Sequence, residues 1–342
     1  MQTYFERAIE LLRQSRSLML CSHIRPDGDA IGAMLALGLG LESMQKRVLM
    51  FNVSKTPARY RFLPGSEIIR QSIEPRTKFD TAVILDCENL SCIGAASDIM
   101  AASPLVINID HHLDNTGFGH LNLVDPTACG TAEIVYRILK RLPVTMDRAI
   151  AMAIYTGVIT DTGFFRFKNT NAAAFAISSE MAACGVHPHQ IARNLYGRYS
   201  LTRIKVLSRA IESLEISEDG RIAVMALTRE ILADTSDGSF DGAEILTYGK
   251  RIKGVQIAAL ILESGGGLNQ LTDECRFFRV LLRTDGMASA AAISARYGGR
   301  GTADRAEFNC YGSLTEIKEE LLGLSEDIYE HRENGYKERI SA

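Results

Sequence analysis

In the first 112 residues, short apolar runs repeatedly stop at an acidic or imidazole side chain. Leu18-Met-Leu-Cys21 leads into Ser22-His23, Thr81-Ala-Val-Ile-Leu85 stops at Asp86, and Pro104-Leu-Val-Ile-Asn-Ile109 stops at Asp110-His111-His112. Runs this short, and this uniformly apolar, read as strands buried on both faces. With Arg47-Val-Leu-Met-Phe51 as a further strand, they alternate with helical patterns at Asp29–Met44, Thr131–Arg141, Asp147–Thr160 and Ala172–Ala183. The expectation is an α/β domain, a mostly parallel sheet flanked by helices. In such a sheet ligands lie beyond the carboxyl ends of the strands, where these polar residues fall.

A chain of 342 residues is long enough for two domains. Pro188 and Gly197 bracket a short helix and Leu201–Leu214 reads as a helical connector. Strands follow at Arg221–Leu227, Val255–Leu262 and Cys275–Leu282, with helices at Ala288–Tyr297 and Leu314–Glu330. Gly265-Gly-Gly267 reads as a turn, because no helix start follows it. The expected organisation is a first domain at residues 1–186, a helical linker at 187–214 and a smaller α/β domain at 215–342.

Composition narrows the partners. The charge balance of 38 basic against 41 acidic residues lacks the basic excess of a protein that grips long nucleic acid, so a nucleotide ligand is expected to be short. No apolar run approaches the ~20 residues of a membrane span, and the first residues read as an amphipathic helix and not a signal peptide. The seven cysteines are scattered and never spaced C-x-x-C. Free thiols in a reducing, cytoplasmic setting are expected, without a structural zinc site.

The densest chemical signal is Cys21-Ser-His23-Ile-Arg-Pro-Asp27-Gly28-Asp29-Ala-Ile-Gly32, after a strand and at the opening of a helix. If residues 27–29 are extended, Asp27 and Asp29 face one side, roughly 6.5–7 Å apart, a spacing suited to two ions roughly 3.5–4 Å apart. Gly28 would bring the backbone in, and Gly32 would leave room for a phosphate near the helix start. Pro-Asp-Gly-Asp is equally a turn with an N-cap aspartate. Asp86, the Asp110-His111-His112 triplet and Asp161, in Thr160-Asp161-Thr162-Gly163-Phe164, sit at matching places. Carboxylates with imidazoles and no thiolate favour Mn²⁺, with Mg²⁺, Co²⁺ or Fe²⁺ as alternatives. Two such ions suit attack of water on phosphorus.

The order and spacing of His-x-x-Pro-Asp-x-Asp-x-x-Gly, the strand-end Asp, Asp-His-His and Asp-Thr-Gly-x-Phe resemble the DHH phosphoesterase superfamily, in its DHH plus DHHA1 members. The nearest subgroup in these motifs is that of the bifunctional oligoribonucleases (nanoRNases) and 3′-phosphoadenosine 5′-phosphate (pAp) phosphatases. The resemblance implies a second domain with a mixed sheet and two divalent cations. His23 and Asp27 would serve one cation, Asp29, His111 and Asp161 the other, and Asp86 both. Asp110 would orient the metal-binding histidine, and His112 would face the scissile phosphate as a general acid. Asn115 matches the asparagine usual after the histidine pair, and Arg166 is a phosphate contact in this reading. Short oligoribonucleotides or pAp are the implied substrates, and a homodimer is compatible with the family.

The family pattern breaks in the second domain. Where a Gly-Gly-Gly-His loop is expected, the chain reads Tyr297-Gly298-Gly299-Arg300-Gly301-Thr302-Ala303-Asp304-Arg305-Ala306-Glu307. Thr302 stands for the histidine, and Arg300 and Glu307 stand for glycines. Cys92 falls where an arginine is usual, whereas Arg283 matches one expected before the loop. Asn115, Arg166, Arg283, Gly298, Gly299, Arg300 and Arg305 are the substrate-binding candidates. Either Arg300 and Arg305 replace the lost phosphate contacts, or the loop no longer binds ligand. The alternatives to an oligoribonuclease or pAp phosphatase are a cyclic or linear dinucleotide phosphodiesterase and a nucleotide-binding regulator without catalysis.

Overall fold

The computed structural model describes residues 2–73, 77–96, 103–197, 200–233, 242–264, 276–284 and 288–324. Contacts divide the chain into two compact units, residues 1–198 and 199–342.

The first unit is built on strands whose side chains are buried on both faces. In β1 (Ser17–Ser22), Leu18 and Leu20 enter one core while Met19 and Cys21 enter another on the opposite face. This period-two division explains why the run is apolar throughout. With β2 (Arg47–Phe51), β3 (Thr81–Leu85), β4 (Val106–Asp110) and β5 (Leu121–Val124) it forms a wholly parallel sheet in the order β2-β1-β3-β4-β5. The order reverses between β1 and β3, so their carboxyl ends border the crevice where such sheets bind ligands.

Around the sheet lie α1 (Gln2–Gln14), α2 (Gly28–Ser43), α3 (Thr131–Leu139), α4 (Arg148–Asp161), α5 (Ala172–Ala183) and α6 (Pro188–Tyr196). Helix α2 is apolar nearly all round and is buried between the sheet and its helical neighbours. It approaches α4 at Gly32, where an added Cβ would stand 2.5 Å from the Ala153 carbonyl oxygen and 2.9 Å from the Gly157 nitrogen. Gly32 therefore serves helix contact, which corrects its expected role in making room for a phosphate.

Strand β5 escaped the sequence reading because only Leu121 and Leu123 face the core and the two residues between and after them are half-buried. Its sheet edge needs no continuous apolar run.

In the second unit, α7 (Leu201–Glu212) precedes β6 (Glu215–Ile216), β7 (Ile222–Leu227), α8 (Arg229–Ala233), α9 (Gly242–Lys250), β8 (Ile257–Glu263), β9 (Arg276–Thr284), α10 (Ala290–Ala295), β10 (Arg300–Gly301), β11 (Arg305–Gly312) and a final helix, α11, at 314–324. The sheet order is β10-β11-β9-β8-β7-β6, parallel only between β7 and β8, hence mixed. One core packs against α10 and α11, the other against α7 and α9. Ile191 and Leu195 of α6 join the core of the first unit, while Val206 and Ala210 of α7 join the second, so the expected linker stretch is shared between two cores. The Gly265–Gly267 turn lies outside the described residues. Among the described residues no helix is long and apolar enough to cross a membrane.

Candidate metal centre

Three strand ends and two helix ends of the first unit bring their polar side chains together. Asp86 is central. It directly follows β3 in a left-handed conformation (φ 56°) and is 3% exposed. This backbone strain is tolerated better by aspartate than by most residues and turns the carboxylate into the crevice. Its Oδ2 is 3.5 Å from His23 Nε2, and its Oδ1 is 3.7 Å from His111 Nε2 and 3.0 Å from Thr131 Oγ1, which donates to it. Burial opposes its charge, but the three imidazoles of His23, His111 and His112 overcome that and hold the carboxyl well below the usual carboxylate range.

His23 follows β1. Its Nδ1 donates to the Ile24 carbonyl at 2.9 Å, which directs Nε2 at Asp86. The buried Asn52, just past β2, fixes this corner by donating to Ser22 Oγ at 2.8 Å and to the His23 carbonyl at 2.9 Å. Asp27 caps α2, its Oδ1 accepting from the Asp29 and Ala30 amides at 3.0 and 3.1 Å. Both readings of Pro-Asp-Gly-Asp hold: Asp27 is a helix cap and also lies in the site. One donor atom from each of His23, Asp27 and Asp86 falls within 4.8 Å of the others.

Asp29 departs from its expected geometry. It belongs to the first turn of α2, not to an extended segment, and so diverges from Asp27 into a second group with His111 and Asp161, again within 4.8 Å. Its carboxylate is 1% exposed and is gripped by the amino end of α3, Oδ2 accepting from Thr131 N at 2.5 Å and Oδ1 from Ala132 N at 2.9 Å. Burial, then repulsion from Asp86, Asp161 and Asp27, raises its pKa well above the ordinary value. Burial, with repulsion from Asp86 and Asp27, pushes Asp161 up to about 7 despite His111 and His112.

The Asp110-His111-His112 triplet ends β4. His111 Nε2 lies 3.6 Å from Asp161 Oδ2 and thereby joins both groups. Asp110 does not bind the His111 ring. Its Oδ1 accepts from the His111 backbone N–H and from His112 Nδ1, both at 2.8 Å. The orienting partner thus belongs to His112, which corrects the expected arrangement. Asn115, expected at substrate, is tied inward: its Nδ2 lies 2.6 Å from Asp110 Oδ2, 2.8 Å from Asn108 Oδ1 and 3.0 Å from the Cys87 carbonyl. Asn115 therefore positions Asp110.

Asp161 is the last residue of α4. Beyond it Gly163, Phe164 and Phe165 all take positive φ (55°, 59° and 60°), a left-handed turn costing roughly 1–2 kcal/mol per non-glycine residue. The reversal returns Asn169 to Asp161, where its Nδ2 donates to Oδ2 at 2.8 Å. Arg166 is exposed, and its Nε donates to the Gly163 carbonyl at 2.6 Å.

The remaining candidates lie in the second unit. The stretch read as a loop at 297–307 is a hairpin, with Arg300 paired to Glu307 and Arg305 paired to Arg283. The alternation Ala306, Phe308 (buried) against Arg305, Asn309 (exposed) was the available strand signal. Gly299 is held against β11, since a Cβ there would meet the Glu307 carbonyl oxygen at 2.4 Å. Gly298, at φ 69°, has open space around it.

Sequence reasoning missed Asn52, Asn108, Thr131 and Asn169. Only Asn108, a polar residue inside Val106–Asp110, carried a local signal. The assembled donors suit divalent cations: four carboxylates and two imidazoles converge, and two of the acids are driven toward protonation by burial and by the neighbouring carboxylates, a cost that bound cations would relieve.

Residues 17–158 match the DHH family, N-terminal domain. The chain is 28% identical over 284 residues to a bifunctional oligoribonuclease and PAP phosphatase of Thermus thermophilus, covering 83% of this chain and 81% of that protein. It is 22% identical over 266 residues to the protein of that name from Bacillus subtilis, covering 77% and 82%. A crystal structure of an exopolyphosphatase-related protein from Bacteroides fragilis superposes with a TM-score of 0.84 at 26% identity, covering 94% of this chain and 96% of that one. The segment that matches the DHH family, N-terminal domain supplies five of the six donors described above, His23, Asp27, Asp29, Asp86 and His111, and Asp161 lies three residues beyond it.

Proposed function

We propose that the chain is a metal-dependent phosphoesterase that hydrolyses short oligoribonucleotides and removes the 3′-phosphate of pAp. One observation carries this reading: two donor groups, His23-Asp27-Asp86 and Asp29-His111-Asp161, lie side by side, with Asp86 3.7 Å from His111. The names of the Thermus and Bacillus relatives support the substrate class.

In this reading His23 and Asp27 hold one divalent cation, Asp29, His111 and Asp161 hold the other, and Asp86 serves both, with Mn²⁺ as the proposed metal. Bound there, the cations supply a water acidic enough to act as nucleophile at neutral pH and neutralise charge on the phosphoryl oxygens. His112, fixed through Nδ1 by Asp110, is left with Nε2 to protonate the leaving oxygen. Asn115 holds Asp110 in turn. Arg166 and, from the second unit, Arg283, Arg300 and Arg305 with Gly298 and Gly299 are the proposed contacts to the non-reacting part of the substrate, guanidinium being matched to phosphate. The first unit is then the catalytic domain and the second the substrate domain. The free thiols at Cys21, Cys87, Cys92, Cys129, Cys184 and Cys310 fit the proposed cytoplasmic setting.

The test is a Mn²⁺ assay across pAp, two- to five-residue RNA, cyclic dinucleotides and pyrophosphate. Turnover of pAp and short RNA, abolished by Asp86→Ala, is expected. Turnover confined to cyclic dinucleotides or pyrophosphate overturns the substrate assignment. Full activity in Asp86→Ala overturns the site.

A further inference from the structure

From Thr162 to Ser179, immediately after the donor Asp161, the chain carries two cations, Arg166 and Lys168, and no acid. Both cations are exposed. Arg166 Nε donates to the Gly163 carbonyl at 2.6 Å, which occupies one of the five N–H groups of its guanidinium. Among the described residues, neither cation has an acid within ion-pairing distance. The first acid of α5, Glu180, is engaged elsewhere, accepting from the Tyr136 hydroxyl at 2.6 Å and from Lys140 Nζ at 3.0 Å.

The same stretch exposes aromatic rings. Phe165 is half-buried against the core of the first unit, and Phe175 of α5 stacks on it, the ring centroids 4.7 Å apart and the planes 20° from parallel. Phe175 is 56% exposed, so the stack ends in a ring that faces water. Phe167, 48% exposed, lies over Gly163, where an added Cβ would stand 2.6 Å from its ring. Ala172 and Ala176 of α5 are exposed as well. Packing of the turn after Asp161 accounts for Phe165 and for the contact of Phe167 with Gly163, but not for the ring of Phe175. Contiguous exposed apolar surface marks a binding face.

Rings interleaved with unneutralised cations, beside donors suited to a phosphoryl group, fit a single-stranded oligonucleotide. Its bases stack on aromatic faces and its phosphates pair with the cations. A two-fold contact with a second copy of this chain would set Arg166 and Lys168 against their own counterparts, which like charge disfavours. We propose that Phe165, Arg166, Phe167, Lys168 and Phe175 form a surface for the part of an oligonucleotide beyond the scissile phosphate, a base continuing the Phe165–Phe175 stack while Arg166 and Lys168 take phosphates. The proposal rests on the oligonucleotide part of the function proposed above and adds to Arg166 an aromatic platform on the unit that holds the metal donors.

The experiment uses the full chain with Mn²⁺ and a phosphorothioate-linked pentaribonucleotide carrying 2-aminopurine at each position in turn. The wild type is expected to quench the fluorescence of one position by stacking. Phe175→Ser should abolish that quenching and weaken binding roughly tenfold, and Phe175→Tyr should restore both. Lys168→Gln should lower the slope of log affinity against log salt by about 0.7, the share of one phosphate on a single strand. An unchanged slope removes Lys168 from the surface. In hydrolysis assays, Phe175→Ser should lower the ratio of kcat/KM for a pentanucleotide to that for pAp by a similar factor. Quenching and affinity unchanged in Phe175→Ser overturn the platform even if RNA is hydrolysed. Sedimentation of that variant as a monomer where the wild type is a dimer, with binding unchanged, gives the face to a second copy instead. Position-specific quenching that depends on Phe175, in a protein that hydrolyses no phosphoester, upholds the platform and overturns the phosphoesterase reading.

Discussion

The Asp29 carboxylate is held by the backbone amide of Thr131, 102 positions away in sequence, at 2.5 Å. A helix amino end thus fixes a buried acid that three other acids repel. The space for this contact is made by Gly157, where an added Cβ would lie 2.5 Å from the Ala132 Cβ and 2.9 Å from Asp29 Oδ1.

Gly157→Ala should therefore displace Asp29. Alanine favours the helix by roughly 1 kcal/mol, but overpacking costs about 1–3 kcal/mol, and the net expectation is loss of stability with weakened Mn²⁺ affinity. Urea denaturation with and without Mn²⁺ measures both. A variant more stable than wild type with unaltered metal affinity would refute the account of the Asp29 cradle.

His112 is placed for proton donation by Asp110. His112→Ala should lower kcat on pAp and RNA by about 10²–10⁴. A p-nitrophenyl ester, whose leaving group needs no proton, should lose much less. Equal losses on both kinds of ester would argue that His112 holds the site together and donates no proton.

Asn115 separates positioning from substrate contact. Asn115→Ala leaves Asp110 and Asn108 short of a partner, which should cost about 1–3 kcal/mol of stability and lower kcat through His112. KM should change little. A rise in KM with kcat and melting temperature intact would return Asn115 to the substrate.

The charge state of the metal-free site sets a pH dependence. Asp161 is pushed up to about 7 by burial and like charge, so between the ordinary carboxylate range and pH 7 the folded form binds more protons than the unfolded one. Burial opposes the charge on His23 and His112, but Asp86 for the first and Asp110 for the second raise them to about 9 and about 10. Their contribution is complete below the unfolded imidazole value and disappears as pH climbs through 9–10. Both effects have the same sign, so the melting temperature of EDTA-treated protein should fall from pH 5.5 to pH 9. Saturating Mn²⁺ replaces protons as the compensating charge and should flatten or reverse the trend. Calorimetric scans across pH test this, and a metal-free melting temperature that rises over the interval would contradict the assigned shifts.

The parallel sheet and the positions of His23, Asp86, Asp110, His111 and Asp161 at element ends could be read from the sequence alone. Buried strands show as short apolar runs, and the polar residues that interrupt them have few other places to go. The division of the carboxylates between the two groups came from the family resemblance and not from local spacing, which suggested an extended Asp27–Asp29 pair where α2 in fact begins at Gly28 and turns Asp29 away from Asp27. The grip of α3 on Asp29, the return of Asn169 to Asp161 and the roles of Asp110 and Asn115 depend on contacts between distant segments. The hairpin of Arg300 and Arg305 was obscured for a different reason: a short, glycine-rich edge resembles a loop until its partner strand is known. Local patterning determined the elements and the chemistry at their ends. Packing between helices and strand register decided how those groups face one another, because hydrogen bonds and charge repulsion act through space and leave no period in the sequence.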